Sequence, residues 1–166
     1  MKVRDVMVRK VVSIEPSASL AEAAKRMREA NVGILPVVED GEVRGVITDR
    51  DVVVRAIAED ADLTGTPVGD CATTDPIVAH PEWDVDRAIE VMARAQVGRL
   101  PVVENGNTLA GIVTLGSLAL RSKKDKETLH AAREVSRRSV KATGTRAKSA
   151  SAPKKRPAKR ARKPSR

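Results

Sequence analysis

The sequence lacks phenylalanine and tyrosine, and Trp83 is its one tryptophan. A hydrophobic core must therefore be filled by Val, Ile, Leu and Met side chains. The single cysteine, Cys71, excludes an intramolecular disulfide and has no Cys or His neighbour at the spacing of a zinc site. His80 and His130 have no partner at ligand spacing either, so the sequence predicts no metal site.

Long apolar runs are also missing. No stretch of about 18 apolar residues is present, which predicts no membrane-spanning segment and no membrane partner. The opening MKVRDVMVRK lacks the apolar stretch of a signal peptide, so we expect a cytoplasmic protein. We find no nucleophile–base pair, metal cluster or phosphate-binding loop in the sequence, so we expect no enzyme activity and no required cofactor.

Positive and negative charges are divided unevenly along the sequence. Residues 1–120 contain 13 Lys/Arg against 19 Asp/Glu, a net charge of −6, whereas residues 121–166 contain 18 against 3, a net charge of +15. The high isoelectric point therefore belongs to the C-terminal region. At 166 residues, the chain can form one compact domain or two small halves that share a core.

An internal repeat is the strongest pattern in the sequence. NVGILPVVEDG at 31–41 returns as QVGRLPVVENG at 96–106, an offset of 65 residues. One extra residue in the second copy then moves the offset to 66, which aligns Thr48 with Thr114. Two copies of a long repeat indicate a pseudo-twofold pair that buries a shared face.

Each repeat is predicted to have the order βαββα. VVSI and PIVA are short β-branched runs, and SLAEAAKRMREA has apolar residues at helical spacing after a Ser19–Glu22 capping signal. ILPVVEDGEVRGVIT predicts a hairpin with an Asp-Gly turn, and DRDVVVRAIAED opens a second helix. We therefore expect an α+β fold with repeats at 1–60 and 61–120, a helical extension at 121–141 and a disordered basic tail at 142–166.

A Thr-x-x-Asp motif lies between the hairpin and the second helix of the first repeat. Thr48 and Asp51 are three residues apart in GVITDRD, and the second copy, GIVTLGS, keeps Thr114 but has Ser117 in place of the aspartate. Such a motif is typical of a helix capping box. A ligand contact is the alternative, and one Thr can serve both purposes.

The repeat resembles the CBS domain, named after cystathionine β-synthase, and two such units form a Bateman module. The resemblance rests on VGILPVVEDGEVRGVITDRD and VGRLPVVENGNTLAGIVTLGS and covers about residues 1–120. The chain is similar to small stand-alone bacterial CBS-pair proteins of the hypoxic-response-protein type. This resemblance implies a regulatory homodimer that binds AMP, ADP, ATP or S-adenosylmethionine in clefts between the repeats.

The resemblance also implies which residues form each cleft. The first cleft would use Thr48, Asp49, Arg50 and Asp51 with Ile77, Gly98 and Arg99 of the other repeat. A carboxylate can accept hydrogen bonds from ribose hydroxyls, and a guanidinium can bind phosphate. The second cleft would use Thr114 and Ser117 with Val12, Gly33 and Ile34, and we expect it to be degenerate because both polar anchors are replaced.

The C-terminal tail suggests a second class of function. PKKRPAKRARKP at 153–164 is similar to the tails of linker histones, and its cations are Lys154, Lys155, Arg156, Lys159, Arg160, Arg162 and Lys163. Without aromatic residues it can neutralise phosphates of DNA or RNA but cannot stack on bases. A protein that binds nucleic acid through this tail would be nucleoid-associated. In the alternative function, non-specific binding of DNA or RNA is the whole activity, and the CBS pair serves only as a dimerisation scaffold. The alternatives are a solubilising tail and a tail bound to the acidic face of its own chain.

Overall fold

The computed structural model describes residues 1–121 and 125–144. The helices are α1 (Val3–Val6), α2 (Leu20–Ala30), α3 (Asp49–Asp51), α4 (Val68–Cys71), α5 (Val85–Ala95), α6 (Leu115–Arg121) and α7 (Asp125–Gly144). The strands are β1 (Ile34–Glu39), β2 (Glu42–Thr48), β3 (Thr73–Thr74), β4 (Arg99–Glu104) and β5 (Thr108–Thr114). Helix α3 continues as a π-helical turn over Val52–Ala56 and a 3-10 turn over Ile57–Glu59. The fold is α+β, as the sequence predicts.

Two hairpins form the sheet, whose strand order is β1-β2-β5-β4 with β3 beside β2. The Asp40-Gly41 turn of the first hairpin has φ values of 52° and 81°, as a primed two-residue turn requires. The hairpins meet where Glu42 pairs with Thr108. Because β2 and β5 are antiparallel there, their far ends, Thr48 and Thr114, point away from the meeting point in opposite directions.

The predicted strands VVSI and PIVA are reduced to single bridges. Ile14 pairs in parallel with Val37, and Ala79 pairs in parallel with Val102. A proline follows each bridge two residues later, at Pro16 and at Pro81. Proline has no backbone N–H to donate, so neither ladder can extend.

Each of the two hydrophobic cores contains a segment from the other repeat of the sequence, called here the borrowed segment. The first core contains Ile14, Leu20, Leu35 and Ile47, and it also contains Val68 and Cys71 from the start of the second repeat. The second core contains Met92, Leu100, Val113 and Leu118 together with Val3, Val6 and Met7 from the chain start. The repeats are therefore intertwined at their first helices, α1 and α4.

The C-terminal helix α7 belongs to the second core. Ala131 is fully buried in it, and Thr128 is 6% exposed. The helical extension that the sequence predicts is present, and it ends at Gly144. The remaining residues of the predicted disordered tail, 145–166, lie outside the described residues. No helix within the described ranges is long and apolar enough to cross a membrane.

Candidate functional site

The first junction, defined here as Thr48–Asp51 at the end of β2, is closed by a reciprocal capping box. The Thr48 hydroxyl accepts from the Asp51 backbone N–H at 3.1 Å. In return, Asp51 Oδ2 accepts from the Thr48 backbone N–H at 3.0 Å and from the Thr48 hydroxyl at 2.6 Å. The capping role of the motif is thus real, and it uses one of the two Asp51 carboxylate oxygens.

The other oxygen of Asp51 is held loosely by a residue that the sequence analysis missed. Arg55 Nε lies 3.5 Å from Asp51 Oδ1. The same guanidinium donates to the Cys71 carbonyl at 2.9 Å, which ties the first junction to the segment borrowed from the second repeat. The signal for Arg55 was its i,i+4 spacing from Asp51 on the second helix.

The loop before β1 lies against the first junction. Ile34 is the register partner of Thr48, and the Asp49 backbone N–H donates to the Gly33 carbonyl at 3.2 Å. The Asp49 carboxylate lies so close to Gly33 that a Cβ added there would come within 2.7 Å of Asp49 Oδ2. Asp49 Oδ1 also accepts from the exposed Arg50 backbone N–H at 2.7 Å.

The second junction, Thr114–Ser117 at the end of β5, has a hydroxyl where the first has a carboxylate. The Ser117 hydroxyl accepts from the Thr114 backbone N–H at 3.0 Å and donates to the Thr114 carbonyl at 2.9 Å. The Ser117 N–H donates to the Thr114 hydroxyl at 2.9 Å. Ser117 is 9% exposed, and its one proton is already donated inside the box.

The register places Gly98 and Arg99 at the second junction, in their own repeat. Arg99 is the partner of Thr114 across β4 and β5, and the Leu115 N–H donates to the Gly98 carbonyl at 3.0 Å. In the same way, Gly33 and Ile34 adjoin Thr48 and not Thr114. The strand pairing therefore places Asp51 at one junction and Arg99 next to the other. Contact of Gly98 and Arg99 with a ligand at the first junction stays a prediction.

Two further predicted residues precede the parallel bridges. Val12 lies two residues before Ile14, next to the first hairpin, and Ile77 lies two residues before Ala79, next to the second. Their side chains are 40% and 49% exposed, respectively, so both are accessible to a ligand. Contact of Ile77 with a ligand at the first junction, and of Val12 with one at the second, stays a prediction.

Metal ligands are dispersed over the described ranges. No group of three His, Cys, Asp or Glu residues there could hold a metal ion. The Cys71 thiol is buried in the first core, and His80 Nδ1 lies 3.1 Å from the Val103 carbonyl.

Two intertwined βαββα units, each with a Thr-x-x-(Asp/Ser) junction after its hairpin, define a tandem-repeat module. The chain belongs to the CBS domain family, whose model, described as "CBS domain", matches residues 3–57 and 68–123. The resemblance found in the sequence is thereby confirmed.

Three similar proteins are each covered over nearly their whole length. The chain is 36% identical over 138 residues to CBS domain-containing protein YhcV of Bacillus subtilis, covering 83% of this chain and 97% of YhcV. It is similar to a structure of Hypoxic Response Protein I with two coordinated zinc ions, with TM-score 0.67, 30% identity and coverage of 72% of this chain and 98% of the other. A third similar structure is the CBS pair of protein MJ0100 in complex with 5-methylthioadenosine and S-adenosyl-L-methionine, with TM-score 0.65, 26% identity and coverage of 72% and 94%.

Proposed function

We propose that this protein is a regulatory sensor without catalytic activity that binds an adenosine-containing ligand at the first junction. Two related facts support the ligand class: the chain is a CBS pair, and the similar MJ0100 pair was solved with two adenosine compounds. The observation that carries the choice of junction is the state of Asp51. The Asp51 side chain is 16% exposed, and its Oδ1 atom lies 3.5 Å from Arg55 Nε in a long ion pair.

The vicinal hydroxyls of a ribose are the ligand groups that suit Asp51. The half-buried Oδ1 atom of Asp51 can accept hydrogen bonds from such hydroxyls, and Arg55 balances part of the carboxylate charge. The capping box on Oδ2 fixes the carboxylate in place before the ligand arrives, which lowers the ordering cost of binding. Ser117 has no carboxylate oxygen to offer, so a ligand at the second junction would lack this ribose contact and would depend on other groups such as Arg99.

The rest of the first junction favours S-adenosylmethionine over ATP among the four candidate ligands. Ile34 stands where the second junction has Arg99, so this position supplies no cation for a phosphate. The Asp49 carboxylate beside Gly33 adds a negative charge that repels phosphate and attracts a sulfonium or ammonium group. Arg50, between Asp49 and Asp51, is the cation of the first junction that could bind a phosphate. AMP and ADP are therefore candidates as well.

Isothermal titration of the full chain with AMP, ADP, ATP and S-adenosylmethionine tests this proposal. We expect one equivalent of ligand per chain and tighter binding of S-adenosylmethionine than of ATP. Asp51→Asn keeps an acceptor for the Thr48 N–H but removes the charge, and the loss of charge-assisted hydrogen bonds worth roughly 1.5–3 kcal/mol weakens binding about tenfold to a hundredfold.

Ser117→Ala is the matched control because it alters the same position of the other repeat. It should leave the dissociation constant within about twofold of the wild-type value. Equal binding to wild type and Asp51→Asn would refute the assignment to the first junction. Two equivalents of equal affinity would refute the asymmetry between the junctions.

The proposed sensor is a homodimer that uses the helix after the first junction. Val53, Val54 and Ile57 are 53%, 49% and 52% exposed on the π-helical and 3-10 turns, while Val52 and Ala56 on the same segment are buried. The helix is therefore apolar on both faces, and the sheet covers one of them. A second copy of the chain would cover the other, close to Arg55 and Asp51.

Non-specific nucleic-acid binding by the tail is a second candidate function, which the charge distribution favours. The region after residue 120 has a net charge of +15, and the region before it has a net charge of −6. Cations on the tail would release counterions from DNA or RNA, whereas the body would be repelled by phosphates. This activity would place the protein at the nucleoid.

A full-length variant with Gln at all seven tail cations from Lys154 to Lys163 tests the nucleic-acid candidate. For wild type, engagement of about seven cations gives a slope of log K against log salt near −6 on double-stranded DNA. The Gln variant should lose most of this slope while it keeps ligand binding at the first junction. An unchanged slope would place the nucleic-acid surface elsewhere, and wild type that fails to shift DNA at low salt would end this candidate.

A further inference from the structure

Helix α7 packs against the loop that adjoins the second junction. Val135 Cγ1 is 4.0 Å from the position that a Cβ on Gly98 would occupy, and Leu115 Cδ1 approaches the same position at 3.7 Å. Gln96 Nε2 donates to the Glu134 backbone carbonyl at 3.3 Å, which fixes this turn of the helix against the loop before β4. Leu115 and Val135 thus share the space above Gly98, the first from the junction and the second from the C-terminal helix.

The two junctions differ in what fills the corresponding space. At the first junction, the Asp49 carboxylate, a part of the junction itself, lies beside Gly33. At the second junction, Leu115 replaces Asp49, and Val135 of helix α7 also lies beside Gly98. The Arg99 side chain, next to Gly98, is exposed and forms no hydrogen bond or ion pair with any other described residue.

Helix α7 packs along α5 and α6, but parts of this packing are imperfect. Ala131 is its one fully buried apolar side chain within the described residues, and Leu129 is 53% exposed. The Thr128 hydroxyl is buried without a hydrogen-bond partner in the described part of the chain, an arrangement that disfavours docking. A groove of about 530 Å³ also remains between α5 and α7, with His130 and Ile89 among its lining residues.

We propose that α7 is a displaceable internal occupant of the second junction, which keeps a phosphate-bearing adenosine ligand out of it. Val135 covers Gly98 in the docked state, and release of α7 opens the junction beside the Arg99 guanidinium. A phosphate is the group that Arg99 recognises, because a guanidinium binds phosphate oxygens through two parallel hydrogen bonds. This inference rests on the proposed adenosine binding and adds that ligand and α7 compete for the second junction.

Val135→Asp tests the competition, since a charge in this half-buried contact disfavours docking of the helix against Gly98. Leu129→Asp is the matched control: it makes the same change on the same helix at an exposed position. Amide hydrogen exchange at Gly98 and Arg99 reports release of α7, and titration with ATP reports the number of bound ligands. We expect faster exchange and an additional ATP equivalent in Val135→Asp and neither change in Leu129→Asp.

Two further variants locate the additional ligand. Arg99→Ala in the Val135→Asp background should remove the additional ATP equivalent. In a Cys71→Ala background, Gly98→Cys with Val135→Cys tests the same contact as a disulfide, because Val135 Cγ1 lies 4.0 Å from the position of a Cβ on Gly98. The oxidised form should bind no second ATP even when ATP is in large excess, and reduction should restore the behaviour of the parent. If Val135→Asp fails to fold, Val135→Ala with Gln96→Ala provides a milder release with the same expected pattern.

The outcomes separate this inference from the proposed function. Faster exchange at Gly98 without an additional ATP equivalent overturns the inference, and so does unchanged exchange in Val135→Asp. Titration of Asp51→Asn with the same ligands shows which part of the binding belongs to the first junction, because that part is lost in this variant. A chain that binds ATP in the Val135→Asp form alone would support the inference and contradict the assignment to the first junction.

Discussion

Val68→Ala is the substitution that most directly tests the exchange of segments between the repeats. In sequence order, Val68 lies at the start of the second repeat, in a stretch that joins the two halves. In the structure it is fully buried in the core of the first half, with Leu20, Leu35 and Ile47. Its N–H donates to the Ala18 carbonyl at 2.7 Å, which holds α4 on the first half.

The magnitude follows from burial. Val→Ala removes two carbon atoms from a site with no solvent exposure. At ~0.8 kcal/mol for each buried carbon, the transfer loss is about 1.6 kcal/mol, and the cavity left behind raises the cost to about 2–3 kcal/mol. A solvent-exposed linker residue would instead cost less than about 0.5 kcal/mol.

Urea denaturation of wild type and Val68→Ala measures this difference, provided that the slope of unfolding free energy against urea is the same for both. Native-state hydrogen exchange then locates the loss, which should be greater at Leu35 and Ile47 than at Leu100 and Val113. Val3→Ala, the equivalent change in the segment borrowed by the second half, should give the reverse order. A loss below about 0.5 kcal/mol, or a greater loss in β4 and β5 for Val68→Ala, would refute the exchanged arrangement.

Three other predictions follow from single contacts. Gly111→Ala should destabilise the fold by ~1–3 kcal/mol in urea denaturation, because a Cβ there would lie 2.8 Å from the Val8 carbonyl; a wild-type midpoint would contradict this. The hydrogen bond from the Lys2 side chain and the Lys2 charge lower the pKa of Asp84 below its usual value. The pair therefore stabilises the folded state above that usual pKa, and the effect is lost as the pH falls through the lowered one. Asp84→Asn should therefore remove part of the acid dependence of exchange in residues 1–8, and an identical acid profile would show that the pair is irrelevant. Val54→Lys should convert the proposed homodimer to monomer in light scattering at tens of micromolar without loss of helix content, whereas a monomeric wild type would exclude that dimer.

The repeat and its secondary structure could be predicted from the sequence because they depend on local patterns. The Asp-Gly turn requires positive φ at two successive residues, and the alternating apolar residues on both sides of it can pair in one register. Ser19 likewise caps α2, since its hydroxyl accepts from the Glu22 N–H at 3.1 Å. The Thr48–Asp51 capping box is equally local, and its hydrogen bonds lie within three residues of each other.

The composition of the two junctions was decided by tertiary structure. The sequence shows Arg99 and Asp51 as residues of a repeated motif, but strand register pairs Arg99 with Thr114 and leaves Asp51 with Arg55. A register is a contact between residues about 15 positions apart, and it depends on the whole hairpin. No single residue of the motif encodes it.

The exchange of first helices and the docking of α7 were also beyond the sequence. Val3 and Val68 occupy equivalent positions of the repeat and are both valines. The sequence around them therefore does not indicate which of the two cores each one joins. The apolar positions of α7 are too few to show that Ala131 is fully buried or that Val135 reaches Gly98. These contacts join residues far apart in the chain, and they form because each half has an apolar gap that a segment from elsewhere in the chain can fill.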